Sequence, residues 1–249
     1  MKSAGTTPRG AAGEEQAARW VRGMFGRVAR RYDFLNHLLS FQLDRYWRSY
    51  TVKQVRPVLE RPGARVLDLC CGTGDLLLAL ERAKGGPVLG SDFCHPMLIE
   101  ARRKSVRRAA ATALVNADAL AMPFADGSLD LITVAFGFRN FANYRKGLRE
   151  LRRLLRAGGC VAILEFSQPP NRIFAAFYRF YSKHVLPRVG ALLSGDGDAY
   201  SYLPESVEKF PGPDELAAEM RAAGFRRVRY ELLSFGIVAL HLGCVEEDA

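Results

Sequence analysis

Residues Val66 to Leu78 read VLDLCCGTGDLLL. An apolar run (Val66, Leu67, Leu69) breaks at glycine, threonine, glycine and resumes as leucines in a helix-compatible order. That order specifies a strand, a tight turn and a helix start. The turn falls at the carboxyl end of the first strand, where open α/β sheets bind their ligands. Gly72 and Gly74 let the backbone bend sharply and let a ligand approach the main chain. A dinucleotide site asks for G-x-G-x-x-G with the pyrophosphate on the helix N-terminus. Here Leu77 holds the third glycine position and Asp75 adds negative charge to the first turn. The ligand that suits this turn is cationic or neutral beside the glycines. A P-loop is excluded because no Gly-Lys-Ser/Thr follows. The plain alternative is a strand-to-helix turn with no ligand.

The run D-x-C-C-G-T-G-D resembles the glycine-rich motif of class I S-adenosylmethionine (SAM) methyltransferases. The resemblance implies a sulfonium cofactor whose amino-acid end lies on Gly72, Thr73, Gly74 and Asp75, with Asp68 aimed at the turn from the end of strand one. Asp92 closes the second apolar strand, 18 residues after Gly74. That is the interval at which an acidic residue accepts hydrogen bonds from a ribose diol. Its other reading is a helix cap, since Pro96 stands at a first-turn position. Phe93 and Met97 are placed to flank an adenine. Asn116, Ala117 and Asp118, after the third strand, are placed to read the adenine edge, and Ala135 ends the fourth strand beside the same site.

The remaining order is strand and helix alternating, then an antiparallel pair at 226–233 and 236–244. It matches a doubly wound, seven-stranded, mostly parallel α/β sheet, Rossmann-like, as in class I methyltransferases. Leu129 to Ala135 is a nearly continuous apolar run, as expected of a strand covered on both faces. Strand five is expected over Cys160–Glu165, after a helix ended by Gly158-Gly159. Residues 1–13 read as a disordered tail, and 14–249 as one methyltransferase domain of a size that buries a sizeable core. Within it, 14–60 form a helical arm, either a cover over the cofactor or an extra packing layer. Residues 167–213 form an insertion too aromatic for a free linker.

The apolar share is 49%, ordinary for a globular chain. The five cysteines show no C-x-x-C pair and no metal-ligand spacing with the four histidines, so reduced, mostly buried thiols and no metal are expected. The formal net charge of +10 invites an anionic surface; the plain reading is arginine spread over solvated helix faces. No apolar run approaches a transmembrane length and the N-terminus lacks a signal-peptide core, which points to a cytoplasmic protein.

Four further segments narrow the resemblance: MFGRVARRYDFLN (24–36), FGFRN (136–140), LEFS (164–167), and HVLPRVG (184–190) with YLPES (202–206). From about Val21 to His241 the chain is similar to the UbiE/MenG/COQ5 family of quinone-biosynthesis C-methyltransferases. It departs where Leu35 and Asp44 replace the family's methionine and histidine, and at 153–159, where RLLRAGG stands for RVLKPGG. The resemblance implies a polyprenylated quinol as substrate, demethylmenaquinol by preference and the ubiquinone precursor as alternative. Methyl transfer to ring carbon needs alignment and a phenolate, and aligned contact supplies several kcal/mol of the barrier. Arg139 and Asn140 are first choice for holding the quinol oxygens. His184 is a candidate base, or a histidine that fixes the insertion. Tyr32, Asp33 and Asn36 on the arm, and Tyr181, Asp196, Asp198 and Tyr202 on the insertion, are candidate pocket residues. A substrate that lives in a membrane joins the basic charge to the aromatic insertion as peripheral contact with anionic lipid at the inner membrane face. A homo-oligomer is left open. A nucleic-acid methyltransferase would show N/D-P-P-Y after strand four, where FGFRN stands, and a scaffold without activity would have lost the glycine loop or Asp92.

Overall fold

The computed structural model describes residues 4–8, 10–110, 112–185 and 197–246, the side chains of 185 and 197–200 excepted. Asp196 and the side chain of Asp198 lie outside the described set. The core is a seven-stranded sheet of order β3-β2-β1-β4-β5-β7-β6. Its strands are β1 (Val66–Leu69), β2 (Leu89–Asp92), β3 (Ala113–Asn116), β4 (Leu129–Ala135), β5 (Leu155–Phe166), β6 (Arg226–Leu233) and β7 (Val238–Cys244). β1 to β5 pair in parallel, and β7 inserts antiparallel between β5 and β6. This is the Rossmann-like doubly wound architecture that the alternation of elements requires.

Burial of both faces explains the apolar strands. Ile132 and Val134 of β4 and Val161 and Ile163 of β5 pack on one face with Leu148 and Leu151 of α6 (Tyr144–Leu154) and Met220 of α9 (Pro213–Ala222). Leu131, Ala162 and Leu164 face the other way, against Trp47 and Val55 of α3 (Leu43–Leu59) and Leu77 and Leu80 of α4 (Asp75–Lys84). The arm is three helices: α1 (Glu14–Val28), α2 (Tyr32–Leu39) and α3. The break between α2 and α3 is sharp because Phe41 and Gln42 both adopt left-handed backbone. α1 lies near α5 (His95–Arg107), with Val28, Ala29, Cys94 and Met97 in one buried cluster. The insertion folds as α7 (Arg172–Phe180), a π turn (Tyr181–Val185) and α8 (Gly197–Lys209).

Three sequence expectations are corrected. Strand five begins at Leu155, not Cys160: Leu155 pairs with Leu129, and a register shift follows before Leu131 meets Cys160. Gly158 and Gly159 therefore lie within the irregular start of β5 and do not end a helix. Gly159 has no room for a Cβ, which would stand 2.9 Å from the Arg156 carbonyl. The tail is also anchored. Thr6 N–H donates to the Phe141 carbonyl at 2.8 Å, and Thr6 Oγ1 lies 2.6 Å from the Tyr202 hydroxyl. Finally, Cys160 and Cys244 are not free thiols. They face each other across β5 and β7, with Cα atoms 4.0 Å apart, and form a disulfide. A separation of 84 residues hides that pairing from any spacing rule.

Candidate active site

The glycine turn behaves as its composition demands. Gly72 and Gly74 have φ of 54° and 89°, and a Cβ on Gly72 would meet nothing within 4 Å, so the main chain there is open to a ligand. Asp92 holds this turn. Its carboxylate accepts the Gly72 N–H at 2.9 Å and the Cys94 N–H at 2.8 Å, combining a brace on the loop with a turn-forming contact before α5. The Asn116 amide donates to the Asp92 carbonyl at 2.8 Å, tying the ends of β2 and β3 together. Ala117 N–H reaches the same carbonyl at 3.3 Å, and Asp118 accepts the Leu120 N–H at 2.9 Å. Phe93 lies under the Arg22 guanidinium, and Met97 is buried beneath the arm. Ala135 is half-buried at the end of β4.

Asp68 is buried at the end of β1. Its Oδ1 accepts the Thr133 hydroxyl at 2.6 Å, and its Oδ2 is buried without a hydrogen-bond partner among the described residues. An orphan carboxylate oxygen, an open glycine main chain and two further aspartates at 75 and 92 make a donor set suited to a cationic ligand. The amino-acid end and sulfonium of SAM fit that description. Burial raises Asp68 to about 7 and Asp92 to about 6. Both exceed the ordinary carboxylate value, so the native state keeps protons that the unfolded chain releases. Their stabilising effect is complete below the ordinary carboxylate value of about 4 and is lost progressively from there until pH passes about 6 for Asp92 and about 7 for Asp68. Asp68→Asn mimics the protonated form. It is expected to gain stability relative to wild type by on the order of 1–4 kcal/mol as pH rises from about 5 to about 8. Parallel thermal melts of the two proteins check this; a difference constant with pH would contradict it.

Next to the loop, a charged network that the sequence does not announce joins the arm to the cofactor region. Lys104 Nζ lies 2.5 Å from Asp33, 2.7 Å from Asp75 and 3.0 Å from the Thr73 hydroxyl, which in turn donates to Asp33. His37 Nδ1 lies 2.7 Å from Asp44, and its Nε2 lies 3.7 Å from Asp75. Asp44, 3% exposed, also accepts from Ser40 at 2.8 Å and pairs with Arg48. Burial works against its charge, but Arg48 and Ser40 outweigh it and hold its carboxyl below the ordinary range. The departure at position 44 has a local answer: Asp44 is met by an imidazole supplied seven residues earlier, from α2.

Beside this lies a cavity of about 340 Å³, walled by the arm, the ends of β4 and β5, and the insertion. Tyr32, Asn36, Tyr181 and Tyr202 all line it, as does Arg139. Arg139 is 5% exposed and rigidly held. Its Nη1 donates to Glu165 at 2.9 Å and to the Phe136 carbonyl at 2.5 Å; its Nε donates to Ser206 at 3.3 Å. Its own N–H donates to Glu165 at 3.1 Å, and its guanidinium lies over the Phe166 ring. Burial opposes the charge, but Glu165 more than restores it, and Arg139 stays protonated. The positive field is felt across the cavity. Burial raises the phenols of Tyr32, Tyr178 and Tyr202, and Arg139 pulls each of them back.

Two expected catalytic residues are placed differently. Asn140 does not line the cavity. It sits behind it, accepting the Tyr202 hydroxyl at 2.9 Å and thereby fixing a wall residue. His184 is exposed on the π turn, its ring 5.1 Å from that of Phe180, and it does not face the cavity. A base drawn from the insertion by sequence proximity is therefore corrected: the turn directs this ring outward. Sequence reasoning also passed over Glu165, Trp47 and Lys104. Glu165 had a visible signal, since a carboxylate ending an otherwise apolar strand needs a buried partner. Trp47 Nε1 donates to Ser234 at 2.8 Å and its ring packs near Phe136 and Phe166.

Residues 11–245 match the family model described as the ubiE/COQ5 methyltransferase family. A Thermus thermophilus protein named demethylmenaquinone methyltransferase is 54% identical over 221 residues, covering 88% of this chain and 99% of the relative. A Deinococcus radiodurans protein of the same name is 47% identical over 224 residues, 90% and 91% of the two chains. A Paracoccus denitrificans protein named ubiquinone/menaquinone biosynthesis C-methyltransferase UbiE is 42% identical over 233 residues, 92% of each. Among solved structures, a SAM dependent methyltransferase from Aquifex aeolicus superposes with a TM-score of 0.57 at 20% identity, over 78% of this chain and 89% of that one. A Thermotoga maritima SAM-dependent methyltransferase, a possible histamine N-methyltransferase, gives 0.61 at 18% identity over 90% and 99%. At those identities the likeness concerns the fold.

Proposed function

The chain belongs to the ubiE/COQ5 methyltransferase family, and we propose that it transfers the methyl group of SAM to a ring carbon of a polyprenylated quinol, demethylmenaquinol in the first place. The relatives named for that substrate support the choice. Those named for both quinones keep the ubiquinone-precursor benzoquinol as the second reading. When bound, SAM supplies an electrophilic methyl on a sulfonium. The ring carbon gains the new C–CH₃ bond, the S–CH₃ electron pair stays on sulfur, and the ring carbon's proton is released to restore aromaticity.

The observation that carries this reading is Arg139: a buried guanidinium held by three hydrogen bonds in a cavity lined by phenols. Burial holds the phenols of Tyr32, Tyr178 and Tyr202 above their ordinary value, and the Arg139 field that works against it also acts on a quinol hydroxyl placed in this cavity. A phenolate is the form that makes the ortho carbon a strong nucleophile. Because the donors are fixed before the substrate arrives, no reorganisation is needed as oxyanion charge develops. Tyr32, Phe136 and Trp47 wall the cavity and keep water from the reacting carbon. Among the described residues no helix is long and apolar enough to cross a membrane. We place the enzyme in the cytoplasm, meeting its lipid-soluble substrate at the inner membrane face.

Incubation with radiolabelled SAM and, separately, demethylmenaquinol, the benzoquinol precursor and total RNA tests the assignment. Label is expected in the naphthoquinol. Faster labelling of the benzoquinol would move the enzyme to the other pathway, and label in RNA alone would sink both readings.

A further inference from the structure

The cavity has a mouth, and the surface around it is apolar. Phe41, Leu43 and Arg179 line the cavity and are also solvent-exposed, which places the opening between the α2–α3 turn and α7. Each side of that opening exposes apolar side chains. On the arm, Phe34 and Leu38 share one face of α2 and Phe41 follows in the turn beyond it; on α7, Ile173, Phe177 and Phe180 stand at the spacing of one helix face. Phe177 is 72% exposed and Phe180 62%. The opposite side of α7 presents Ala175 and Tyr178 to the cavity, so the helix covers the cavity with one face and shows its apolar stripe to solvent with the other. The two sides are tied together: the Tyr181 hydroxyl donates to the Leu39 carbonyl at 2.9 Å, and the Tyr181 and Phe41 rings lie 6.1 Å apart. The tip of the β6–β7 connection, Phe235, 81% exposed, packs against Phe174 and extends the patch.

From this arrangement we propose that the α7 face and the α2 stripe together are a bilayer-docking surface for anionic phospholipid, through which the cavity opens directly into the membrane interface. Large exposed aromatics clustered at one site are unusual on a monomer and mark an interaction surface. The charge around them selects the occupant. From Ser167 to His184 the chain has Arg172, Arg179 and Lys183 and no aspartate or glutamate, and Arg172, Arg179 and Arg45 are exposed. Aromatic side chains with interleaved cations, on a short helix lying along the surface, suit the headgroup region of an anionic leaflet. The cavity's polarity agrees. An anchored cation, Arg139, is deep inside, and at the mouth Phe41 and Leu43 are apolar beside Arg179. The cavity therefore fits a molecule whose polar ring enters first and whose hydrocarbon tail trails out into lipid. A second copy of the chain seated on this face would close the mouth. The arginine-rich α5 face, with Arg102 and Arg103, does not line this cavity and is not the docking surface.

This surface deepens the quinol reading and rests on it for the tail, yet its test is separate. Full-length protein is floated with vesicles of phosphatidylglycerol and phosphatidylethanolamine, and with vesicles of phosphatidylcholine alone. Wild type is expected to float with the anionic vesicles and markedly less with the zwitterionic ones. Phe177→Ser/Phe180→Ser is expected to lose roughly tenfold or more in partitioning, with an unchanged melting temperature. Its activity on a quinol bearing a single prenyl unit should stay within about twofold of wild type. Ile173→Ser is an independent second variant with a smaller loss in the same direction, and Arg102→Ser/Arg103→Ser is expected to float like wild type. Failure of wild type to float, undiminished flotation of the double phenylalanine variant, or a dimer that this variant dissociates would overturn the proposal. Lipid-dependent flotation without methylation of any quinol would instead overturn the reaction and leave the surface standing.

Discussion

Replacing Arg139 with alanine is expected to lower kcat/KM on the quinol by on the order of 10²–10³, the range typical of losing one preorganised oxyanion donor. Most of the loss should fall on kcat, because the interaction strengthens as charge develops on the quinol oxygen. SAM affinity should change little, since no contact of Arg139 reaches the glycine turn. The single substitution also strands Glu165, which is 1% exposed, and a buried charge left unpaired costs roughly 3–5 kcal/mol. Stability and chemistry must therefore be separated. Arg139→Met/Glu165→Gln removes both charges while keeping volume, and it should recover much of the melting temperature without recovering kcat. Arg139→Lys keeps the charge, but a single ammonium cannot span Glu165, the Phe136 carbonyl and Ser206 as the guanidinium does, so an intermediate rate is expected. Steady-state kinetics with calorimetric SAM binding decides the matter. A double variant with wild-type kcat would remove Arg139 from the chemistry.

What could be read in advance divides by range along the chain. The strand-turn-helix at 66–78, the acidic end of β2 and the covered strand β4 are written in consecutive residues, and periodicity exposes them. The resemblance of the FGFRN segment put Arg139 near the site. The bonds that make Arg139 useful come from Glu165, 26 residues on, and Ser206, 67 residues on, and no local pattern encodes them. Lys104 stands beside Arg102 and Arg103 in sequence, yet its neighbours in space are Asp33 and Asp75. His184 reads as a candidate base because imidazole is the commonest general base and the residue lies on the substrate-binding insertion. Its direction was set by a π turn that composition does not reveal. The anchored tail and the Cys160–Cys244 bridge failed for the same reason, since each depends on a partner whose position only the sheet determines.

Gly137 shows how one of those long-range contacts governs the cofactor turn. Its backbone, φ −109° and ψ −31°, is open to any residue, so conformational freedom does not explain the glycine. Space does. An added Cβ would stand 2.4 Å from the Cβ of Cys70 and 3.1 Å from its sulfur. Cys70 has φ of 55°, a left-handed conformation that costs a non-glycine residue of order 1 kcal/mol or more, and it leads directly into Cys71 and Gly72. Gly137→Ala must push Cys70 back and tilt the loop that Asp92 braces. Overpacking of this kind costs about 1–3 kcal/mol, a fall of roughly 3–10 °C in Tm for a chain this long. The KM for SAM should rise together with the loss of stability, whereas a merely loosened core would leave it unchanged. Cys70→Gly supplies the cure, because it removes the Cβ that collides with the new methyl group and suits the left-handed backbone. Alone it should be nearly neutral: relief of strain offsets the lost packing and the added freedom of the unfolded chain. Combined with Gly137→Ala it should restore most of both Tm and SAM affinity, giving a favourable coupling of about 1–3 kcal/mol in the double-mutant cycle. A double variant as impaired as Gly137→Ala alone would show that the contact with Cys70 is not what requires glycine at this position.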